Sequence, residues 1–260
     1  MMRNLLLLSL FFAALSPLYA GETTQKKCEE QKGHFIFAGG ECIEYAAING
    51  ERKEIITVIV HGTWKEGTNT LARYIPFAET INMATDTTTV AIALPGYSRS
   101  STNHLYALSH NSKEKPFAAK AYIVFLDQLI QAFKKRYKAT TVNYIGHSAG
   151  ASMGATLTGY HPSLISNIAL AGGRYQARGD EHDKGLLFIG DYMEKLDTKT
   201  NYLLIYGTKD SISKPEISKN FYTLAKKKGL NVTLVKVKDA EHLDLDMTDT
   251  SVEAIEEMLE

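Results

Sequence analysis

Apolar β-type runs alternate with helix-patterned stretches through most of this chain, and that alternation leaves few folds open. Ile55 to Val60, Thr88 to Leu94, Thr140 to Ile145, Ile165 to Leu170, Asn201 to Tyr206 and Asn231 to Val237 read as buried strands. A sheet with one face in water would alternate apolar with polar residues. These runs are nearly continuous, so both faces of the sheet must be covered. Between them, helices are predicted over Thr70 to Met83, Pro116 to Tyr137, Ala149 to about Tyr160, Lys184 to Leu196, Pro215 to Lys228 and Met247 to Glu260. Glu41 to Ala47 adds an earlier strand ahead of the Asn49-Gly50 turn. The expected class is α/β, with a mostly parallel central sheet and helices on both faces. The 260 residues suit one large domain, and no repeat, low-complexity tract or Pro/Gly/Ser-rich linker divides them.

The first twenty residues stand apart. Arg3, the apolar run Leu5 to Ala14 and the break Ser16-Pro17-Leu18-Tyr19-Ala20 have the build of a secretory signal peptide cleaved after Ala20. A retained anchor is the alternative, but the run is short against the roughly 20 residues of a membrane span. No later stretch is long and apolar enough to span a bilayer, so no stable membrane insertion is expected after cleavage. The expected location is the periplasm or the medium. Residues 21–50 form an N-terminal segment leading into the sheet, and 51–260 the main domain. Both cysteines, Cys28 and Cys42, lie in that segment, and in an exported chain they are expected to pair. A metal site is the rival reading, but His34 alone does not complete one. Lysine and arginine total 29 against 29 acidic residues, and no basic stripe points to nucleic acid. The cluster Lys134, Lys135, Arg136 and Lys138 falls at the end of a predicted helix, where cations complement the dipole.

Chemistry points to residues 146–150, Gly-His-Ser-Ala-Gly. They join the strand ending at Ile145 to a helix of small residues, the context of a sharp turn that lifts the hydroxyl of Ser148 clear of the backbone. Side chains at Gly146 and Gly150 would collide with neighbouring backbone in so tight a turn. A serine hydroxyl is a poor nucleophile unaided and needs a base, itself oriented by a third group. His242, in Asp239-Ala240-Glu241-His242 after the last predicted strand, is the expected base. Asp210, just beyond the strand ending at Tyr206, is the expected orienting acid, and a helix-cap role is its alternative. Asp239, Asp244 and Asp246 are rivals by residue type, although Asp239 is too close in sequence to His242 to serve it.

These residues lie at strand ends in the order serine, acid, histidine. With His61-Gly62-Thr63-Trp64 after an early strand and Pro-Gly-Tyr-Ser-Arg-Ser at 95–100, the chain resembles the α/β-hydrolase-fold serine hydrolases from about Ile55 to Glu260. The resemblance makes 51–260 the catalytic domain, with a small cap or none. It implies an oxyanion hole formed by the amide of Ala149 and that of Thr63, with Trp64 the rival donor, and a structural hydrogen-bonding role for His61. Many esterases carry further glycines where this chain reads Gly-Thr-Trp.

Substrate preference is less legible. Trp64, Tyr97 and His147 are possible substrate-binding residues, although His147, beside the nucleophile, is expected to point elsewhere. The loop from Gly96 to Lys115, with Arg99, His104, Tyr106 and His110, lines the pocket mouth or is a polar crossing. No metal ligands and no dinucleotide fingerprint are present, so no cofactor is implied. The expectation is an exported hydrolase of esters with small to medium acyl groups, acting through an acyl-enzyme. A peptidase or amidase, an acyltransferase and a non-catalytic binding module of the same fold are the alternatives.

Overall fold

The computed structural model describes residues 24–31, 34–64, 68–97 and 116–260. The expected signal peptide and most of the loop from Gly96 to Lys115 lie outside them. Eight strands form one sheet: β1 (Phe35–Ala38), β2 (Glu41–Ile48), β3 (Arg52–Val60), β4 (Thr87–Ile92), β5 (Thr141–His147), β6 (Asn167–Ala171), β7 (Asn201–Gly207) and β8 (Asn231–Val237). Their order is β1-β2-β4-β3-β5-β6-β7-β8. β1 and β2 pair antiparallel, as do β2 and β4, and all other pairs are parallel. Among the described residues the α-helices are α1 (Gln25–Glu29), α2 (Thr70–Thr85), α3 (Lys120–Tyr137), α4 (Ala149–Tyr160), α5 (Pro215–Lys227) and α6 (Asp249–Leu259). The α/β fold with a mostly parallel, doubly covered sheet is the one expected.

The near-continuous apolar strands have their explanation in two cores, one on each face. Val58, Tyr144, Ile168 and Leu204 pack with α3 and α4 on one side. Ile59, Ile145, Ala169 and Leu203 pack with α2 and α6 on the other. Successive strand residues point to opposite faces, so a strand between two cores must be apolar at every position. Helix α4 sits deepest, and every residue from Ala149 to Gly159 is buried. Its run of small side chains lets it lie close against the sheet.

The N-terminal segment belongs to this sheet, since β2 pairs with β4. Cys28 and Cys42 form a disulfide that ties α1 to the start of β2, with their Cα atoms 5.5 Å apart. Strand β1, not foreseen from sequence, turns into β2 through Gly39 and Gly40, both at positive φ. A second difference falls between Lys184 and Leu196. Only Ile189–Lys195 is helical there, as a 3-10 helix. The preceding Leu186 bridges to Ala119, and the Leu187 amide donates to Ala118 at 2.8 Å, so tertiary docking overrides the helical pattern. That docking is anchored by Arg174, which holds Glu181 with two contacts of 3.0 and 2.9 Å. Its guanidinium lies 4.5 Å from the Phe188 ring. The connection from β6 to β7 thus forms a small packed cover, not a cap domain.

A polar seam crosses the amino end of the parallel strands. Asn143, Asn167, Asn201 and Asn231 are neighbours in register. Each side-chain amide donates to the preceding asparagine, at 2.8, 2.6 and 2.5 Å along the row. Asn143 donates to the Thr57 hydroxyl at 3.3 Å, and Thr57 meets Thr87 at 2.7 Å. A slip of one residue in any strand would break the row, so the seam specifies register.

Candidate active site

Ser148 follows β5 directly and precedes α4, with φ 53° and ψ −112°. A non-glycine residue there carries strain of about 1–3 kcal/mol, which the surroundings must hold in place. Its amide donates to the Ala171 carbonyl at 2.8 Å, and its carbonyl accepts the Ser152 amide at 3.0 Å. The Tyr144 hydroxyl donates to the Gly150 carbonyl at 2.6 Å and pins the first turn of α4 to β5. The two glycines are needed for contact. A Cβ on Gly150 would lie 2.1 Å from the Val60 carbonyl oxygen, and one on Gly146 would lie 2.7 Å from Gly150 backbone.

The ends of β7 and β8 bring the partners. The Ser148 hydroxyl lies 2.8 Å from Nε2 of His242, and Nδ1 of His242 lies 2.8 Å from Oδ2 of Asp210. Oδ1 of Asp210 accepts the amides of Ile212 at 2.9 Å and Ser213 at 2.7 Å. These two donors fix the plane of the carboxylate. Asp210 therefore braces its own turn as well as facing His242, while α5 begins later, after Lys214. The Asp210 side chain is wholly buried and that of His242 is 16% exposed, so the serine end of the row faces outward. The rival acids are engaged elsewhere: Asp239 pairs with Lys209 at 3.1 Å, and Asp244 pairs with Arg73. Asp246 is buried without reaching His242's ring, and it lies 3.9 Å from His147.

Gly62 brings the loop after β3 against the serine, since a Cβ there would lie 2.9 Å from Ser148 Cβ. Nδ1 of His61 donates to the Gly62 carbonyl at 2.7 Å, and its Nε2 accepts the Leu94 amide at 3.0 Å. Burial pushes the His61 imidazole down to about 4, with Gly62 opposing and His147 adding to the shift. It stays neutral at physiological pH and can keep accepting from Leu94, tying this loop to β4. The Ala149 amide starts a helix and so has no intrahelical acceptor. Thr63 and Trp64 both line the cavity beside Ser148, so both candidates for the second oxyanion donor stand at the site.

That cavity measures about 310 Å³ and is lined by Gly62 to Trp64, His147, Ser148, Ser211, Ile212 and Glu241 to Leu243. Trp64 and His147 thus border it. Tyr97 does not. It is 3% exposed, packs edge-on against Tyr122 at 5.7 Å, and its hydroxyl accepts the Phe117 amide at 2.8 Å. Its aromatic ring serves the core, a correction to its expected place at the pocket. Ile212, Glu241 and Leu243 were missed by sequence reasoning. Their signal was adjacency, because the direct neighbours of residues held at strand ends must line the same mouth.

Fold and site together define a class before any comparison. Residues 58–200, more than half of the chain, match the family described as the alpha/beta hydrolase fold, and the chain belongs to that family. Comparison with curated proteins finds no match. Among solved structures, an esterase of Pyrococcus furiosus is similar at 18% identity and a TM-score of 0.65, over 92% of this chain and 95% of that one. Est1E from Butyrivibrio proteoclasticus, with ferulic acid bound, is similar at 14% identity and a TM-score of 0.64, over 86% and 97%. A carboxylesterase from Mesorhizobium loti is similar at 16% identity and a TM-score of 0.58, over 84% and 94%. At these identities the likeness is one of fold.

Proposed function

We propose that this protein is an exported serine hydrolase that cleaves carboxylic esters of small to medium acyl groups. The observation that carries the reading is the unbroken row Ser148–His242–Asp210, with both contacts at 2.8 Å and the serine on a strained elbow beside a cavity. The Ser148 oxygen attacks the ester carbonyl carbon as its proton passes to Nε2 of His242. Asp210 accepts the Nδ1 hydrogen and stabilises the imidazolium. The developing oxyanion is held by the amides of Ala149 and Thr63. Collapse breaks the ester bond, His242 returns the proton to the leaving alcohol, and an acyl-Ser148 remains. Water then attacks that acyl group with His242 as base, releasing the acid and restoring the serine.

The substrate range rests on the cavity. Its volume of about 310 Å³ suits a small or medium group, and Ile212 and Leu243, 68% and 61% exposed, offer apolar contacts beside the catalytic row. The Glu241 carboxylate on the same wall disfavours anionic substrates. The ferulic acid held by Est1E makes aromatic acyl esters a sensible part of the panel. Export is supported by the N-terminal pattern and by the Cys28–Cys42 disulfide, which suits an oxidising compartment.

The test is a panel of p-nitrophenyl acetate, butyrate and octanoate, a ferulate ester, amides and peptides on the mature chain. Ester turnover that falls with acyl length and vanishes in Ser148→Ala is expected. Turnover of amides above esters, or full activity in Ser148→Ala, contradicts the reading.

A further inference from the structure

We propose that His147 is a positioning residue for His242, holding its main chain through Nε2 while its other ring nitrogen faces buried Asp246. The proposal rests on the catalytic reading of Ser148, His242 and Asp210. His147 ends β5 directly before Ser148, and its side chain is 6% exposed. Its Nε2 lies 2.8 Å from the main-chain carbonyl oxygen of His242. A carbonyl oxygen only accepts, so Nε2 carries the hydrogen and donates it. The two imidazole rings stand 5.1 Å apart. Ser148 and Asp210 thus hold the ring of His242, while His147 holds its main chain.

The other nitrogen explains Asp246. With the hydrogen on Nε2, a neutral imidazole presents a lone pair at Nδ1, which faces Oδ1 of Asp246 at 3.9 Å. Neither that nitrogen nor either Asp246 oxygen has a hydrogen-bond partner among the described residues, and Asp246 is buried. A lone pair against a carboxylate is repulsive, and an unpaired buried carboxylate is costly. An amide in place of that carboxylate, able to turn an N–H toward Nδ1, would remove both problems and leave the hydrogen on Nε2.

The loop carrying His242 has other anchors. The Lys209 amide donates to the Ala240 carbonyl at 2.9 Å, and Arg73 grips Asp244. These fix it on either side of His242, and His147 fixes it at His242 itself. Displacement of a catalytic group by about 1 Å can cost a hundredfold in rate, so this bond bears on turnover more than on substrate affinity.

The test compares paired variants on p-nitrophenyl butyrate, with Ser148→Ala in parallel and folding checked by circular dichroism. His147→Leu removes the donor, and a kcat loss of about tenfold or more is expected with KM little changed. His147→Gln places an amide N–H where Nε2–H stood and is expected to recover most of that loss. Asp246→Asn, which can turn an N–H toward Nδ1 and leaves the Nε2 donor in place, should stay near wild type. If His147→Leu fails to fold, His147→Ala against His147→Gln carries the same comparison. Equal losses in the donor-less variant and His147→Gln, or wild-type kcat in the donor-less variant, overturn the proposal. Retained activity in Ser148→Ala would instead overturn the catalytic reading beneath it.

Discussion

The two ends of the parallel sheet each carry a row of hydrogen-bonded polar side chains, and the rows differ in everything except their bond lengths. At the amino end, Asn143, Asn167, Asn201 and Asn231 are linked at 2.8, 2.6 and 2.5 Å. At the carboxyl end, Ser148, His242 and Asp210 are linked at 2.8 Å twice. The amides are uncharged, repeat one group, and sit on regular strands. They can fix register but have no group that takes up a proton at neutral pH. The other row joins three groups of unlike basicity, starts at a strained serine and opens on a cavity. Short polar contacts alone do not distinguish a site from a seam; differing acidity, strain and access do.

The largest effect expected on this contrast comes from Asp210→Asn. An amide keeps the turn contacts of Oδ1 but offers N–H to Nδ1 of His242, which imposes the wrong tautomer. A kcat loss of about 10³–10⁴-fold is expected with little change in Tm, measured by ester hydrolysis and thermal denaturation. Asn143→Leu should do the reverse. It leaves Thr57 and Asn167 short of a buried partner, so unfolding in urea should show a loss of about 1–3 kcal/mol with kcat unaffected. A large kcat loss in Asn143→Leu would erase the division between the two ends.

A third carboxyl sharpens the comparison through pH. Glu41, at the start of β2, is buried with Oε2 unpartnered among the described residues, and burial pushes it up to about 8. Asp210, by contrast, has two amides on one oxygen and His242 on the other. The folded state holds the Glu41 proton to higher pH than the unfolded chain does. Its contribution to stability is therefore complete below the ordinary glutamate range and is lost as pH rises toward 8. Glu41→Gln should gain in Tm over wild type between pH 5 and pH 8, and a constant difference across that range would contradict this. The smallest effect is expected at the exposed end of the seam, where Asn231→Ala should cost less than about 0.5 kcal/mol.

Much of this was readable from residues in order. Apolar runs located the strands, and Gly-His-Ser-Ala-Gly located the turn, because both depend on near neighbours in sequence. Strand β1 was missed because four residues give little periodicity, although Gly39-Gly40 between Phe35-Ile36-Phe37 and Cys42-Ile43 was a turn signal. The stretch from Lys184 lost its helix to docking on Ala118 and Ala119, which sequence spacing does not encode. Tyr97 was misplaced because an aromatic ring on a loop suits a pocket or a core equally well, and only the Phe117 amide decides. The asparagine seam needs the register of four strands before it can be seen, even though β6, β7 and β8 each begin with asparagine. The contact of His147 with His242 joins residues far apart in the chain and depends on where the last loop folds back.

The central claim is that Ser148, activated by His242 and Asp210, is the nucleophile, and covalent trapping tests it most directly. Incubation with a fluorophosphonate followed by intact mass and peptide mapping should give one adduct, on Ser148. The adduct should be absent in Ser148→Ala and form far more slowly in His242→Ala and Asp210→Asn. An adduct on another residue, or ester hydrolysis that continues with Ser148 unlabelled under excess reagent, would contradict the account.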